Sequence, residues 1–524
     1  MMVPDPAGAT AATTPHPLAT EQARAVLADD GSAIEALVAA GAVLAVAYPH
    51  MCGLGGDAVW LVTEPDGATT VITGFGQAAA DPGVPPVPLR GPGSALTAAG
   101  AVDSWWQAHA HSRTHWRSTR PWAALLGPAA ALAREGAPVT ASQHYWHTQR
   151  RDLLRTQPGF GAVFEPDGRV PDPGMPLPQP ALAETLDIIA RDGGRAFYEG
   201  PLADRIADGL GAAGVPLTAA DLAGCRARIE QPLAMAYRGG TLLAAPPPSQ
   251  GAALLQIMGL FERAADGPAP PERAGTLHVL ARCVAHALAD RDRVVADPDA
   301  TGSSPPDMVA TMLDARVLDR RAADIGGFAP AARMPQADTV WLAATDRTGR
   351  SACLMQSLYF DFGSGVIAGD TGVLWHNRGA AFSADTDAPN ALRPGRRPLH
   401  TLTPVAYRRD GRLQLLAGTQ GGNGQAQTVA QLLWRVIDLG LAPSVALARP
   451  RFLLGPGFED SRQTLKLEAD FGEAVIAELE RRGHPVETVP ARNRMMGEAG
   501  LLQLTGAGPR AAHDPRGPGT AALA

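Results

Sequence analysis

Hydrophobic positions follow a helical period over the first three-fifths of the chain and a strand period beyond it. Ile34, Leu37, Val38 and Val43 fall on one helical stripe, and Ser32 with Glu35 has the spacing of a capping box, which predicts a helix from Ala33. Ala/Leu-rich segments at 119–135, 181–193, 201–213 and 274–296 continue this texture. The proline-dense stretch 156–180 and the turn Pro246-Pro247-Pro248-Ser249-Gln250 interrupt it. Two strand candidates precede it: Ala58–Thr63 (AVWLVT), after the Gly-rich turn 51–57, and Thr69–Thr73 (TTVIT), with Gly67 reversing the chain between them. From Thr339 the apolar runs shorten. Thr339–Asp346 and Ser351–Tyr359 around the Arg347–Arg350 turn predict a hairpin, with further strands at 402–407, 412–418 and 499–504 and one helix at 425–440. There is no internal repeat. Runs of helices beside runs of strands predict a layered α+β architecture and not a doubly wound sheet.

Composition narrows the classes. The chain has 524 residues, 45% hydrophobic and 19% charged, enough to bury a large core. Residues 1–18 are rich in Pro, Ala and Thr and are expected to be disordered. Segments 296–306 and 324–338 are rich in Pro, Gly and Asp, and the second is the best linker in the chain. A net charge of −7 without a basic cluster argues against a nucleic-acid partner. No apolar run reaches the ~18 residues of a membrane span, and Met1–Thr20 shows no leader pattern. Four widely spaced cysteines without a CxxC pair read as reduced thiols, so a cytoplasmic location is expected, with Cys353 an inert core residue.

Several motifs have plain structural readings. Gly53, Gly55 and Gly56 lack the lysine and spacing of a phosphate loop and read as a turn. His109, His111 and His115 have a spacing that could catch a metal, but the segment is polar, and no metal or cofactor is expected. Asp290-Arg-Asp-Arg293 and Asp297-Pro-Asp299 alternate charge in the manner of a solvated helix end.

The informative junction is Asp338-Thr339, where the linker ends and an apolar strand begins. A threonine hydroxyl is a weak nucleophile until a base is fixed beside it, and the residue's own α-amine serves once it is a chain N-terminus. That amine has a pKa of about 7.7–8.0, so part of it is unprotonated at neutral pH. Inside a chain it is an amide, so this chemistry requires that the Asp338–Thr339 bond be cut first. Against it stands the ordinary reading of Thr339 as a β-former on a pleated surface.

The wider text decides between them. Asp338-Thr-Val-Trp341, Gln356-Ser-Leu-Tyr359, Phe362-Gly-Ser-Gly365, Gly372–Gly379, Arg397–Pro404 and Gly418-Thr-Gln-Gly-Gly-Asn-Gly424 occur in that order. Upstream stand Gly31–Ala36, Pro49–Gly56, Gly91-Pro-Gly93, Phe197–Gly200, Leu217–Leu222 and the Pro246–Gln250 turn. Over roughly residues 20–520 this resembles the γ-glutamyltransferase family of N-terminal-nucleophile (Ntn) hydrolases. The resemblance implies a four-layer αββα sandwich and a proenzyme that cuts itself between Asp338 and Thr339. A large chain of 1–338 and a small chain of 339–524 would stay together as one domain, each the other's partner. It further implies Thr339 as nucleophile, Ser357 as a hydroxyl hydrogen-bonded to it, and Gly421 and Gly422 as the oxyanion-binding pair.

The departures are informative. Glutamyl transferases hold the substrate's α-carboxylate with an arginine in a strand-end motif, where this chain has Gly74-Phe-Gly-Gln-Ala78. Their acidic pair before a phenylalanine is replaced by Arg378-Gly-Ala-Ala-Phe382. Asn377-Arg378-Gly379 and His400-Thr401 instead resemble the branch with oxamate amidohydrolase and the glutaryl- and cephalosporin-type acylases. The expected substrate is therefore a small amide whose acyl group carries a carboxylate. Arg378 is the candidate carboxylate receptor, since its fork suits bidentate binding, and Tyr359, His400 and Thr401 are candidate pocket groups. Arg378 and His400 also have bland readings, as an ion-pair partner and a hydrogen-bonded structural histidine. Acyl transfer (including γ-glutamyl transfer or glutathione hydrolysis), carbon–carbon bond hydrolysis on the same scaffold, and a non-catalytic relic are the alternatives.

Overall fold

A computed structural model describes residues 8–299, 305–325, 338–456 and 462–524. The linker residues 326–337 lie outside the described residues, as does part of 296–306.

Two antiparallel sheets face each other. The first runs, edge to edge, Thr520–Leu523, Ala11–Thr14, Asp338–Thr345, Ser351–Tyr359, Asp57–Thr63, Thr69–Gly74 and Arg228–Glu230. The second runs Gly508–His513, Ala499–Thr505, Arg412–Thr419, Val405–Arg409, Gly240–Ala244 and Leu233–Tyr237. Side chains alternate across each strand. Trp341, Ala343, Val59, Leu61, Cys353 and Met355 point into the space between the sheets, where they meet Leu243, Ala406, Leu416 and Leu502. Val340, Leu342, Ala344, Trp60 and Leu354 point outward under the helices Ala33–Ala47 and Ala101–His115. Leu242, Val405 and Leu415 do the same under Gly251–Ala264, Ala274–Val294 and Gln425–Leu433. Three apolar layers separate four structural ones, the expected αββα sandwich.

The Ser32–Glu35 capping box forms, and the helix behind it is buried all round, so the stripe read from sequence understates its burial. The hairpin 338–359 pairs as expected, with an irregularity between Gln356 and Tyr359. Two expectations need correction. Residues 11–14, read as part of a disordered arm, form a buried strand inserted between 520–523 and 338–345. The helical stretch also contains the hairpin 233–244, turned by Arg238 and Gly239 at positive φ. Its Leu-Ala-Met-Ala sequence favours a helix, and pairing with Val405–Arg409 overrides that local preference.

Trp341 keys the sheets together. A Cβ at Gly418 would lie 2.1 Å from the Trp341 ring, and one at Gly500 would lie 2.2 Å from it. These glycines are register partners on adjacent strands. They make a slot in the second sheet for a side chain two residues from Thr339.

Candidate active site

Thr339 is buried at the start of its strand, and its Oγ donates to the carbonyl oxygen of Asp338 at 2.7 Å. Ser357 Oγ donates to the same oxygen at 2.6 Å, and accepts from Tyr359 N at 2.8 Å. Ser357 was expected to bond the nucleophile; in this continuous chain it polarises the carbonyl of the adjoining peptide. The hydroxyl of Thr339 instead accepts from Gln425 Nε2 at 3.2 Å, a contact no motif announced. Gln425 is fixed in turn, because its Oε1 accepts from Thr403 N at 3.1 Å. Tyr359 has φ +80°, an unusual conformation for an aromatic residue, next to the irregularity that aims Ser357 at Asp338.

Gly421 and Gly422 have φ of 111° and 50°, so the backbone reverses sharply between strand 412–419 and helix 425–433. Such a turn is open to glycine and strained for other residues. Arg291 braces it, donating to Asn423 Oδ1 at 2.7 Å and Gln250 Oε1 at 2.8 Å, while Gln250 Nε2 donates to the carbonyls of Gly422 and Thr401. The expectation for 290–299 is thereby corrected. Asp290 and Arg291 are buried, and Asp297 pairs with Arg397 at 2.6 Å, so this charged segment turns inward to the oxyanion-type turn and the 397–401 segment.

Beside Tyr359 lies a fully buried polar cluster. Arg378 packs over the Tyr359 ring at 4.2 Å from its centroid, and its Nε, Nη1 and Nη2 have no hydrogen-bond partner. Asp57 is its counter-charge. Asp57 Oδ1 accepts from Gly76 N at 3.0 Å and Gly100 N at 3.1 Å. Asp57 Oδ2 faces His376 Nδ1 at 3.2 Å, His400 Nε2 at 3.4 Å and Arg378 Nε at 3.7 Å, none of them aligned as a hydrogen bond. Burial pushes the Asp57 carboxyl up, but the two imidazoles and the guanidinium together outweigh it and hold it at about 2. Burial lowers Arg378 against the pull of Asp57 and Tyr359. Burial and Arg378 hold His400 well below the usual histidine range. Its ring stacks on Phe75 at 3.8 Å and 12°. Phe75 thus fills, with an aromatic face, the region where the family resemblance led one to look for an arginine. Thr401 Oγ and Tyr359 OH are buried without partners.

On the other flank of Thr339 the Asp338 carboxyl is buried, and neither oxygen has a hydrogen-bond partner. Burial, with Asp361 and Glu498, pushes it well above the carboxylate range. Glu498 is likewise buried with neither oxygen in a hydrogen bond, Arg494 Nε lying 4.0 Å from Oε1, and burial pushes it up to about 7.

The remaining motifs fall elsewhere. His109 Nε2 lies 3.1 Å from Arg120 O and His111 Nε2 lies 3.9 Å from Glu64, away from this centre, and Cys353 is in the inter-sheet core. Gly55 and Gly56 pack against the backbone of Leu374 and Ser357, which makes their loop a structural turn. Among the described residues no helix is long and apolar enough to cross a membrane.

An αββα sandwich with a hydroxyl residue opening a central strand is the architecture of the Ntn-hydrolases. The family model for gamma-glutamyltranspeptidase matches residues 19–524, and the chain belongs to that family. It is 42% identical to the oxamate amidohydrolase proenzyme of Klebsiella pneumoniae, over 98% of each chain. It is 37% identical to the glutathione hydrolase-like proenzyme YwrD of Bacillus subtilis, over 97% of each. The fold matches the crystal structure of cephalosporin acylase from Bacillus halodurans with a TM-score of 0.88 at 28% identity, covering 98% of this chain and 96% of that one. The protein is an enzyme, an Ntn-hydrolase of the amidohydrolase and acylase kind.

Proposed function

We propose that the chain cuts itself between Asp338 and Thr339, and that the fragments 1–338 and 339–524 together hydrolyse the amide of a small acyl group bearing a carboxylate, of the oxamate or glutaryl type. The observation that carries the substrate class is the Arg378 guanidinium: buried, 4.2 Å over the Tyr359 ring, and with all three nitrogens free of hydrogen bonds although Nε lies 3.7 Å from Asp57 Oδ2. A planar donor fork in that state suits a carboxylate.

Maturation starts with Thr339 Oγ adding to the Asp338 carbonyl carbon, polarised by Ser357. The C–N bond breaks as the Oγ proton passes to nitrogen, which frees the Thr339 amine and leaves the Asp338 acyl group as an ester on Oγ; water hydrolyses that ester, releasing the Asp338 carboxylate and the Thr339 hydroxyl. In turnover that amine takes the Oγ proton as Oγ attacks the substrate carbonyl. The N–H groups of Gly421 and Gly422 receive the developing oxyanion, an interaction whose loss typically costs about 2.7–4 kcal/mol per donor. The proton passes to the leaving nitrogen, ammonia or an amine departs, and water releases the acid. Gln425 orients Oγ, Arg378 takes the substrate carboxylate, and His400, Thr401 and Tyr359 surround it.

The test is a paired assay of purified enzyme with oxamate, glutaryl amides and γ-glutamyl-p-nitroanilide, with N-terminal sequencing of the smaller fragment. Hydrolysis of the first two classes and a threonine start are expected. Brisk glutamyl transfer with no hydrolysis of the simpler acids would overturn the substrate assignment.

A further inference from the structure

We infer that docking of a substrate carboxylate on Arg378 draws one proton into the site, that His400 carries it, and that Asp57 is the positioning residue that makes this possible. The inference rests on the proposed role of Arg378 and adds a coupling that the role alone does not contain.

The argument is a charge count in a closed space. Asp57, His376, Arg378 and His400 are all 0% exposed. With neutral imidazoles, Asp57 and Arg378 balance. A substrate carboxylate adds one negative charge where water does not reach, and an unbalanced buried charge costs several kcal/mol. A proton taken up with the anion removes that cost.

Of the four groups in this cluster, His400 is the one placed to accept it, and the Thr339 α-amine of the processed chain is the other base that titrates near neutrality. Asp57 keeps Oδ1 on two backbone N–H groups and is held ionised. His376 has one ring nitrogen engaged: Nε2 is 3.0 Å from the Thr97 carbonyl and 3.1 Å from its hydroxyl, while Nδ1 faces Asp57 Oδ2 at 3.2 Å without a hydrogen bond. The Tyr359 hydroxyl is pushed upward by burial. His400 has neither ring nitrogen in a hydrogen bond. Its ring is held against Phe75, with Nε2 3.4 Å from Asp57 Oδ2. A neutral imidazole leaves one lone pair buried without a donor, whereas an imidazolium has one N–H for Asp57 and one for an anion. The charged groups facing His400 are Arg378, Arg397 and His376, which oppose protonation, and Asp57, which favours it. Arg397 is already paired with Asp297. A carboxylate on Arg378 cancels the largest opposing charge.

Calorimetry of the processed enzyme with pyruvate tests this, because pyruvate has oxamate's shape and single charge but a methyl group where the amide nitrogen would be; butyrate is the longer probe. In two buffers of different ionisation enthalpy at pH 7, uptake of about 0.5–1 proton per ligand is expected, with Kd rising up to about tenfold per pH unit above neutrality. His400→Asn should abolish both the uptake and the pH dependence, and Asp57→Asn should reduce them. In the unaltered enzyme labelled with 15N-histidine, one imidazole should move to imidazolium shifts when ligand is added, a readout that needs no variant to fold. Buffer-independent binding with a flat Kd, or full uptake in His400→Asn, overturns the inference. If neither probe binds, or if Arg378→Ala binds them as tightly as the parent, the carboxylate-receptor reading itself fails. Binding that needs Arg378 but takes up no proton removes only the coupling.

Discussion

The two flanks of Thr339 are built from opposite materials. On one side a guanidinium and two imidazoles surround a single carboxylate, and the guanidinium donors have no acceptors. On the other the carboxyls of Asp338 and Glu498 lie buried without a hydrogen bond, and Arg494 approaches Glu498 only to 4.0 Å. Each unsatisfied buried group costs about 1–3 kcal/mol, so both flanks oppose folding of the continuous chain. The difference lies in what relieves them. On the proposed scheme an arriving anion would satisfy the first flank, whereas the cut before Thr339 would let Asp338 leave the second. The contrast fits a proenzyme whose substrate is acidic, since the same fold that disfavours its own upstream residue favours an incoming carboxylate.

The sharpest break of this contrast is Thr339→Ala. It should leave a single full-length band on a denaturing gel and lower amide turnover by at least about 10⁴-fold, by analogy with the loss of a catalytic triad member. Two fragments from that variant would refute the scheme. Next, Arg378→Met should lower kcat/KM for carboxylate-bearing amides by roughly 30- to 3,000-fold, the equivalent of about 2–5 kcal/mol for a truncated buried charge contact, and should barely change hydrolysis of an uncharged amide of equal length. Equal losses on both substrates would make Arg378 structural. Gln425→Ala removes one donor from Thr339 Oγ and should slow turnover by about 5- to 30-fold, or about 1–2 kcal/mol.

The smallest effect belongs to the acidic flank. Glu498 is raised to about 7 by burial. Between its ordinary pKa of about 4.3 and that value the folded chain binds more protons than the unfolded one, so stability falls as pH rises through this window. In a Thr339→Ala background, thermal melts should lose stability from pH 5 to 7, and Glu498→Gln should recover roughly 2–4 °C of that loss. An unchanged slope would show that Glu498 is not the group responsible.

The strands on either side of Thr339 were legible because burial on both faces leaves near-continuous apolar runs, as in Ala58–Thr63 and Ser351–Tyr359. Residues 11–14 were not, because Ala-Ala-Thr-Thr carries no apolar signal and becomes a strand only by filling a gap between two others. At the candidate site, Asp338, Thr339, Tyr359, Arg378, His400 and the glycine pair were picked out as candidates by their motifs. Asp57 and Arg291 were missed for opposite reasons. Asp57 ends a glycine turn, where an aspartate is ordinary, while Arg291 sits in an alternating-charge run whose usual place is in solvent. Only the tertiary fold brings Asp57 to His376 and Arg291 to Asn423.

The order of strands in the first sheet carries one more consequence. Residues 11–14 lie between 520–523 and 338–345, and 351–359 is flanked on its far side by 57–63. Cutting before Thr339 therefore yields two polypeptides braided through one another, which dilution cannot pull apart without tearing hydrogen-bonded ladders. Once melted, the pieces would have to find each other again and rethread that braid. A cut sample should fail to regain its transition on a second heating, while the uncut Thr339→Ala chain should regain part of it.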